Sequence, residues 1–149
     1  MGSRSDRPWG SSDRRSTTYF DIYAQRLDTY GNQQWASNDV AICSEDNHQY
    51  IQSVVSGGSD NAIIVWKDYR STTDYDLYAQ KVNIYGDTQW APGGIMVTGA
   101  GDDQVQACAV ACSDGSAIIA WDDERVAPYY DIFAQRIDPD GYWGYPYPH

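Results

Sequence analysis

Hydrophobic and polar residues along this chain alternate in the short runs typical of β-strands, and no stretch shows the 3.6-residue period of a helix. The runs are rich in Ile, Val, Tyr and Trp, which favour strands, and Gly-rich segments such as 57–60 separate them as turns. The pattern therefore predicts an all-β, antiparallel fold. Within one clear unit the predicted strands are 49–56, 62–69, 75–83 and a weaker one in 89–98, which Pro92-Gly93-Gly94 interrupts.

The same pattern recurs along the chain at one fixed interval, which we call the repeat period. DIYAQRLDTYGNQQW begins at Asp21, DLYAQKVNIYGDTQW at Asp76 and DIFAQRIDPDGYWGY at Asp131. A second block keeps the same interval, with NAIIVWKDYR from Asn61 and SAIIAWDDER from Ser116. A four-strand unit with a Gly and a Trp at fixed places is typical of a β-propeller blade. A β-sandwich would not explain so strict a repeat.

The chain holds about two and a half of these blades. A propeller closes only as a ring of at least about four blades, and an open end exposes strand edges and an apolar face. We therefore predict that oligomerisation completes the ring, as a homodimer or higher homo-oligomer with about five or six blades, the N-terminal strand pair completing a blade across the interface. The predicted boundaries are an atypical N-terminal segment 1–18, a partial blade 19–47, a complete blade 48–102, a partial blade 103–141 and an aromatic tail 142–149.

Three of these motifs carry a resemblance to a known family. Asp-Ile-Tyr-Ala-Gln-Arg, Gly-x-x-x-Trp and Ala-Ile-Ile-x-Trp-x-Asp-x-Arg resemble a repeat found in tandem in large secreted bacterial β-propeller proteins. The resemblance covers residues 19 to about 141. It implies a propeller fold and an extracellular or periplasmic location, although the chain itself shows no signal peptide. It brings no catalytic motif with it.

Composition limits the classes of partner that the chain is expected to bind. The 10 basic and 21 acidic residues give a net charge of −11, which repels phosphate backbones and anionic lipid, so we predict no nucleic-acid and no membrane partner. The 13 Tyr and 6 Trp are largely periodic, so most of these rings are expected to pack between blades. The three cysteines lack zinc-site spacing and are predicted to be free thiols.

Residues that recur in each unit are expected to have the same structural role in each. The leading interpretation is an Asp/Arg pair packed under a Trp between blades. The alternative is a ring of carboxylates around the axis that holds a cation or works as acid and base. Trp35 and Trp90 follow the predicted turn between the third and fourth strands of their units and are expected to cover the next blade. The repeated set is Asp21, Asp76, Asp131, Trp66, Trp121, Asp68, Asp123, Arg70 and Arg125.

Function at a single site is expected where the copies differ. Asp46, Asp102 and Asp103 lie in the loops that join the fourth strand of one unit to the first strand of the next. Oxygen ligands from such loops are a candidate Ca²⁺ site, and Ca²⁺ is the only cofactor considered. A solvated acidic rim is the other interpretation. His48, Trp143 and Tyr145 are the candidate ligand-binding residues, and the tail that holds the last two is expected to cap an edge or enter a partner chain.

The functional prediction is a non-enzymatic, secreted-type propeller module that binds a carbohydrate or protein ligand through its loops. No Gly-x-Ser-x-Gly or His-Glu-x-x-His motif occurs, and no catalytic residue is assigned. One alternative is a calcium-dependent hydrolase, an esterase, lactonase or phosphotriesterase, that uses axial carboxylates. Another is an inactive fragment of a longer repeat array.

Overall fold

A computed structural model describes residues 12–13, 18–126 and 128–143, and every regular element in these ranges is a β-strand. No helix in the described ranges is long and apolar enough to cross a membrane. The strands are β1 (Ser12–Asp13), β2 (Asp21–Ala24), β3 (Val40–Cys43), β4 (Gln49–Ser56), β5 (Ala62–Asp68), β6 (Asp76–Val82), β7 (Ile95–Thr98), β8 (Gln104–Ala111), β9 (Ala117–Asp123) and β10 (Asp131–Ile137).

The strands form three antiparallel sheets in which sequence neighbours pair. The first sheet is β1-β2-β3, the middle sheet is β4-β5-β6-β7, and the third sheet is β8-β9-β10. The prediction of an all-β, antiparallel fold is therefore confirmed. None of the described sheets closes on itself.

The strand register repeats with the sequence. Asp68 lies opposite Asp76 in the middle sheet and Asp123 lies opposite Asp131 in the third. The backbone of Asp13 lies opposite Asp21 in the same way. Strand pairing of the repeat type therefore begins before residue 19, inside the segment that the sequence marks as atypical.

The sheets stack face to face, and the middle sheet is buried on both faces. Alternate residues of β5 point to opposite sides: Ile64 and Trp66 join a core with the first sheet, whereas Ile63 and Val65 join a core with the third. Every residue of β6 is buried. Apolar runs of this kind are expected of a strand with a neighbour on each face.

The described residues cover the third sheet on one face only. Ile119 and Trp121 pack against the middle sheet, but on the outer face Ile118 is 40% exposed and Ile132 is 71% exposed. The equivalent residues of the middle sheet, Ile63 and Leu77, are fully buried. The difference comes from the neighbouring sheet, because the residue types are almost the same.

The predicted strands of the middle unit match β4, β5 and β6 to within one residue at each end. The fourth is shorter than predicted, because Gly93 and Gly94 take positive φ in a turn before β7. At Gly94 a Cβ would lie 2.4 Å from the ring of Trp66, so only glycine fits there. The three cysteines are free thiols, as predicted.

Candidate ligand-binding surface

The repeated Trp, Asp and Arg form the same bonded unit in two sheets. In the middle sheet Asp68 Oδ2 accepts from Trp66 Nε1 at 2.8 Å and from an Arg70 guanidinium nitrogen at 2.5 Å. The guanidinium lies 3.8 Å from the centre of the Tyr78 ring and also donates to Cys43 Sγ in the first sheet. The Trp66–Asp68–Arg70 unit therefore connects the middle sheet to the first sheet.

The third sheet repeats this arrangement. Asp123 Oδ2 accepts from Trp121 Nε1 at 2.9 Å and from Arg125 at 2.6 Å, and the guanidinium covers Phe133 at 4.0 Å. Burial acts to raise the pKa of Asp123, but the hydrogen bonds from Arg125 and Trp121 outweigh it and lower that pKa to about 2. The same bonds from Trp and Arg to one aspartate in two sheets fit a structural pair.

The aspartates that begin the third strand of each unit differ in environment. Asp21 and Asp76 are buried, whereas Asp131 is exposed. Burial, reinforced by the nearby carboxylates of Asp74 and Asp68, raises the pKa of Asp76 to about 6.

The candidate calcium ligands do not converge. Among the described residues, no group of three or more His, Cys, Asp or Glu side chains could hold a metal ion. Asp46 and Asp102 offer their backbone carbonyls to buried glutamines, Gln49 at 3.2 Å and Gln104 at 2.7 Å. The carboxylate of Asp103 accepts from the backbone N–H of Tyr75 at 2.9 Å. These contacts hold the loops in place.

Aromatic side chains gather at the same end of the sheets, where β2, β4 and β6 begin and β5 ends. All are half-buried, so each ring keeps part of its surface in solvent. We call this group the aromatic cluster; it consists of Tyr19, Phe20, His48, Tyr50, Tyr69 and Tyr75, with Lys67.

His48 lies at the centre of the cluster. Its ring stacks on Tyr50 at 5.8 Å and meets Tyr19 edge-on at 5.5 Å. Its Nδ1 accepts a hydrogen bond from the backbone N–H of Phe20 at 3.3 Å, which places the proton of the neutral ring on Nε2. Lys67 Nζ lies 4.5 Å from the centre of the Tyr75 ring. The cluster thus combines ring faces, an imidazole and a cation.

The third sheet has no such cluster at the equivalent end. The positions one repeat period after His48, Tyr50, Lys67 and Tyr69 hold Asp103, Val105, Asp122 and Glu124. The hydrogen bond to Glu124 raises the pKa of Tyr130, which stands at the position of Tyr75. The end of the middle sheet that holds the aromatic cluster is therefore aromatic and cationic, whereas the equivalent end of the third sheet is acidic.

Of the predicted ligand-binding residues, only His48 belongs to the aromatic cluster. Trp143 is 59% exposed and bridges to Ile137 at the opposite end of the sheets. Tyr145 lies outside the described residues. Sequence reasoning missed Tyr50, Lys67 and Tyr69, although their absence from the next unit was a usable signal.

An apolar pocket of about 280 Å³ lies between the first and middle sheets. It is lined by Leu27, Trp35, Ile51, Val54, Ile64 and Val82, among others. The lining residues come from the first sheet with the turn that follows β2, and from β4, β5 and β6 of the middle sheet with their adjoining turns.

The chain matches no protein-family model, and searches of curated proteins and of solved structures find no match either.

Proposed function

We propose that the chain is a non-enzymatic β-propeller module, its ring completed by a further copy, and that the aromatic cluster binds a carbohydrate. The ring of about five or six blades and the extracellular or periplasmic location belong to this proposal. One observation supports the binding site. The positions of His48, Tyr50, Lys67 and Tyr69 hold quite different residues one repeat period later, in a sheet with the same strand framework.

The strand pairing of the repeat does not depend on these side chains, because the third sheet keeps the same register without them. Gln49 pairs with Asp68 beside His48 and Tyr50, and Gln104 pairs with Asp123 in the same register beside Asp103 and Val105. The role of His48 toward the backbone of the preceding strand is also filled by Asp103. A cluster that the strand pairing does not require, and that keeps several rings half in solvent, favours recognition over packing.

A neutral carbohydrate fits the chemistry of the cluster best. Ring faces of Tyr50 and His48 offer apolar surface to the C–H face of a sugar, while phenol, imidazole and ammonium groups can bond its hydroxyls. Because the chain carries a net charge of −11, an anionic glycan would be repelled over much of the surface.

The test is an array of neutral oligosaccharides of glucose, galactose and mannose, followed by titration of any ligand found. The decisive variant is His48→Asp with Tyr50→Val, because it copies the third sheet: the carboxylate can still accept from Phe20, and only the rings are lost. We expect an unchanged circular-dichroism spectrum and about 10-fold to 100-fold weaker binding.

The matched control is Tyr85→Asp, which removes an 80%-exposed ring and adds one carboxylate outside the cluster. It should bind as the parent chain does. Failure of every neutral oligosaccharide to bind the parent, or equal losses in the two variants, would overturn the proposed site.

The calcium-dependent hydrolase, which would use axial carboxylates of an oligomeric ring, stays an untested alternative; the described residues of one chain form no group of three or more His, Cys, Asp or Glu that could hold a metal ion.

A further inference from the structure

The two junctions between described sheets share one side-chain contact. Trp35 Nε1 in the first sheet donates to the Ile84 carbonyl of the middle sheet at 2.8 Å. Trp90 Nε1 in the middle sheet donates to the Pro139 carbonyl of the third sheet at 3.3 Å. The two donors are one repeat period apart and so are the two acceptors, so the first and the middle sheet each place a tryptophan on the turn of the following sheet.

The turn that receives the tryptophan carries a glycine. Gly86 and Gly141 have φ of 92° and 89°, and a Cβ on either would lie 3.3 Å from the Trp35 ring or 2.8 Å from the Trp90 ring. The indole therefore packs directly on the turn backbone.

The first sheet has the same turn without a described partner. Gly31 has φ of 84°, and Asp28 Oδ1 accepts from the N–H groups of Tyr30 and Asn32, as Asp138 does from Asp140 and Tyr142. Among the described residues, nothing lies within 4 Å of a Cβ built on Gly31. The turn is built to receive a ring, and none of the described side chains fills it.

Leu27 shows the same contrast on the same side of the first sheet. It is 40% exposed, whereas the equivalent Val82 and Ile137 are 1% and 0% exposed. Each of the latter two is covered by the sheet that precedes its own.

The third sheet presents the complementary face. Its exposed residues Val110, Ile118, Ile132 and Ala134 are the equivalents, one repeat period later, of Val55, Ile63, Leu77 and Ala79, which pack on the third sheet in the inner junction. Three of the four residue pairs are identical and the fourth replaces Leu by Ile. The free face of the third sheet thus has the side chains needed to cover a first sheet.

We propose that the outer face of the third sheet packs on the first sheet of a second copy, head to tail, as the middle sheet packs on the third within the chain. This inference rests on the proposed ring and names its interface. Two copies supply six sheets, within the usual range of about four to eight blades, whereas three copies would exceed it.

The experiment measures the mass of the full chain by light scattering over a wide concentration range. The parent chain is expected to be a dimer. Ile132→Glu places a charge in the interface and Gly31→Asn fills the turn with a residue that tolerates positive φ; each should weaken dimerisation by about 100-fold or more. Tyr85→Glu, also at an exposed ring, is the control and should remain dimeric.

Mixing the two variants separates a head-to-tail contact from a symmetric one. A 1:1 mixture restores one intact junction, the unaltered third sheet of Gly31→Asn on the unaltered first sheet of Ile132→Glu, so a heterodimer should appear that neither variant forms alone. A symmetric interface would give no such rescue.

A parent chain that stays monomeric at all concentrations, or a dimer unaffected by both variants, would overturn the interface. Carbohydrate binding is measured on the same samples at the aromatic cluster, which contains none of the altered residues. A monomer that still binds the sugar therefore refutes the interface and the two-copy ring but leaves the binding site standing. A dimer that is altered by the variants and binds no sugar refutes the binding site alone.

Discussion

The middle and third sheets are built from nearly the same residues, yet they differ in burial and in surface chemistry. Leu77 is fully buried and its equivalent Ile132 is 71% exposed. At the loop end the middle sheet carries His48 and Lys67 where the third carries Asp103 and Asp122. The repeated positions set the strand framework in both sheets, while the neighbour on each face decides how much each position contributes to stability.

The largest expected effect is on stability and compares a core residue of the middle sheet with its equivalent on the outer face of the third sheet. Leu77→Ala should lower the free energy of unfolding by about 3 kcal/mol, because it leaves a cavity between two sheets. Ile132→Ala, measured in dilute monomer, should cost less than about 1 kcal/mol because its side chain is already in solvent. Urea unfolding of both variants checks this, and equal losses would show that the third sheet's outer face is covered within one chain.

The next largest effect concerns the turn glycines. Gly86→Ala should cost about 3 kcal/mol, since strain at positive φ adds to the contacts with Val40 and Trp35. Gly31→Ala should cost about 1 kcal/mol in the monomer, from the strain alone. Thermal melts at low concentration measure the two losses of stability, and their difference gives the contribution of the indole packed on the turn. Equal losses would contradict that contribution.

A smaller effect is a pH dependence from Asp76. Its pKa is raised to about 6 in the folded chain, so folding stabilises the protonated form. Stability from this group is therefore full below the unfolded pKa of about 4 and is lost as pH rises through about 6. The melting temperature should rise by a few degrees between about pH 7 and pH 5.

Asp76→Asn should remove that rise, whereas Asp131→Asn, at the exposed equivalent position, should keep it. The opposite trend is expected only at much lower pH, since the pKa of Asp123 lies near 2 and its stabilising charge is lost as pH falls toward that value. A parent chain whose melting temperature stays flat from pH 7 to pH 5 would contradict the assignment to Asp76.

The smallest expected effect is that of salt on the dimer. Two copies of a chain with net charge −11 repel each other, so raising ionic strength from about 0.01 M to about 0.15 M should tighten dimerisation several-fold. Sedimentation at the two ionic strengths measures it. Weaker association at high salt would indicate an interface held by ion pairs, contrary to the apolar face formed by Ile118 and Ile132.

Much of the framework could be predicted from local pattern. Strands β4 to β6 and the turn before Ala62 follow from residue alternation and turn chemistry, which depend on neighbours in sequence. β1 was missed, although Asp13 and Arg15 stand one repeat period before Asp68 and Arg70 and could have signalled it. The propeller ring and the family resemblance remain predictions.

The candidate site could be predicted only in part. His48 was identified because it is not repeated, but its partners come from four separate segments, and nothing in local sequence brings Phe20, Tyr50 and Tyr75 together. The calcium hypothesis stays a prediction: Asp46 and Asp103 lie in loops as expected, and in one chain Asp46 bonds Gln49 through its backbone carbonyl while the Asp103 carboxylate bonds the Tyr75 N–H.

The sequence by itself determined the repeat period, the strands and the recurrent Trp-Asp-Arg unit, because each depends on residues within a few positions of one another in strand or turn. Only the tertiary structure decided which equivalent residues are buried, which rings meet at the aromatic cluster and which turn receives no indole from the described residues. These depend on the stacking of sheets, and identical side chains such as Ile63 and Ile118 differ only in whether another sheet covers them.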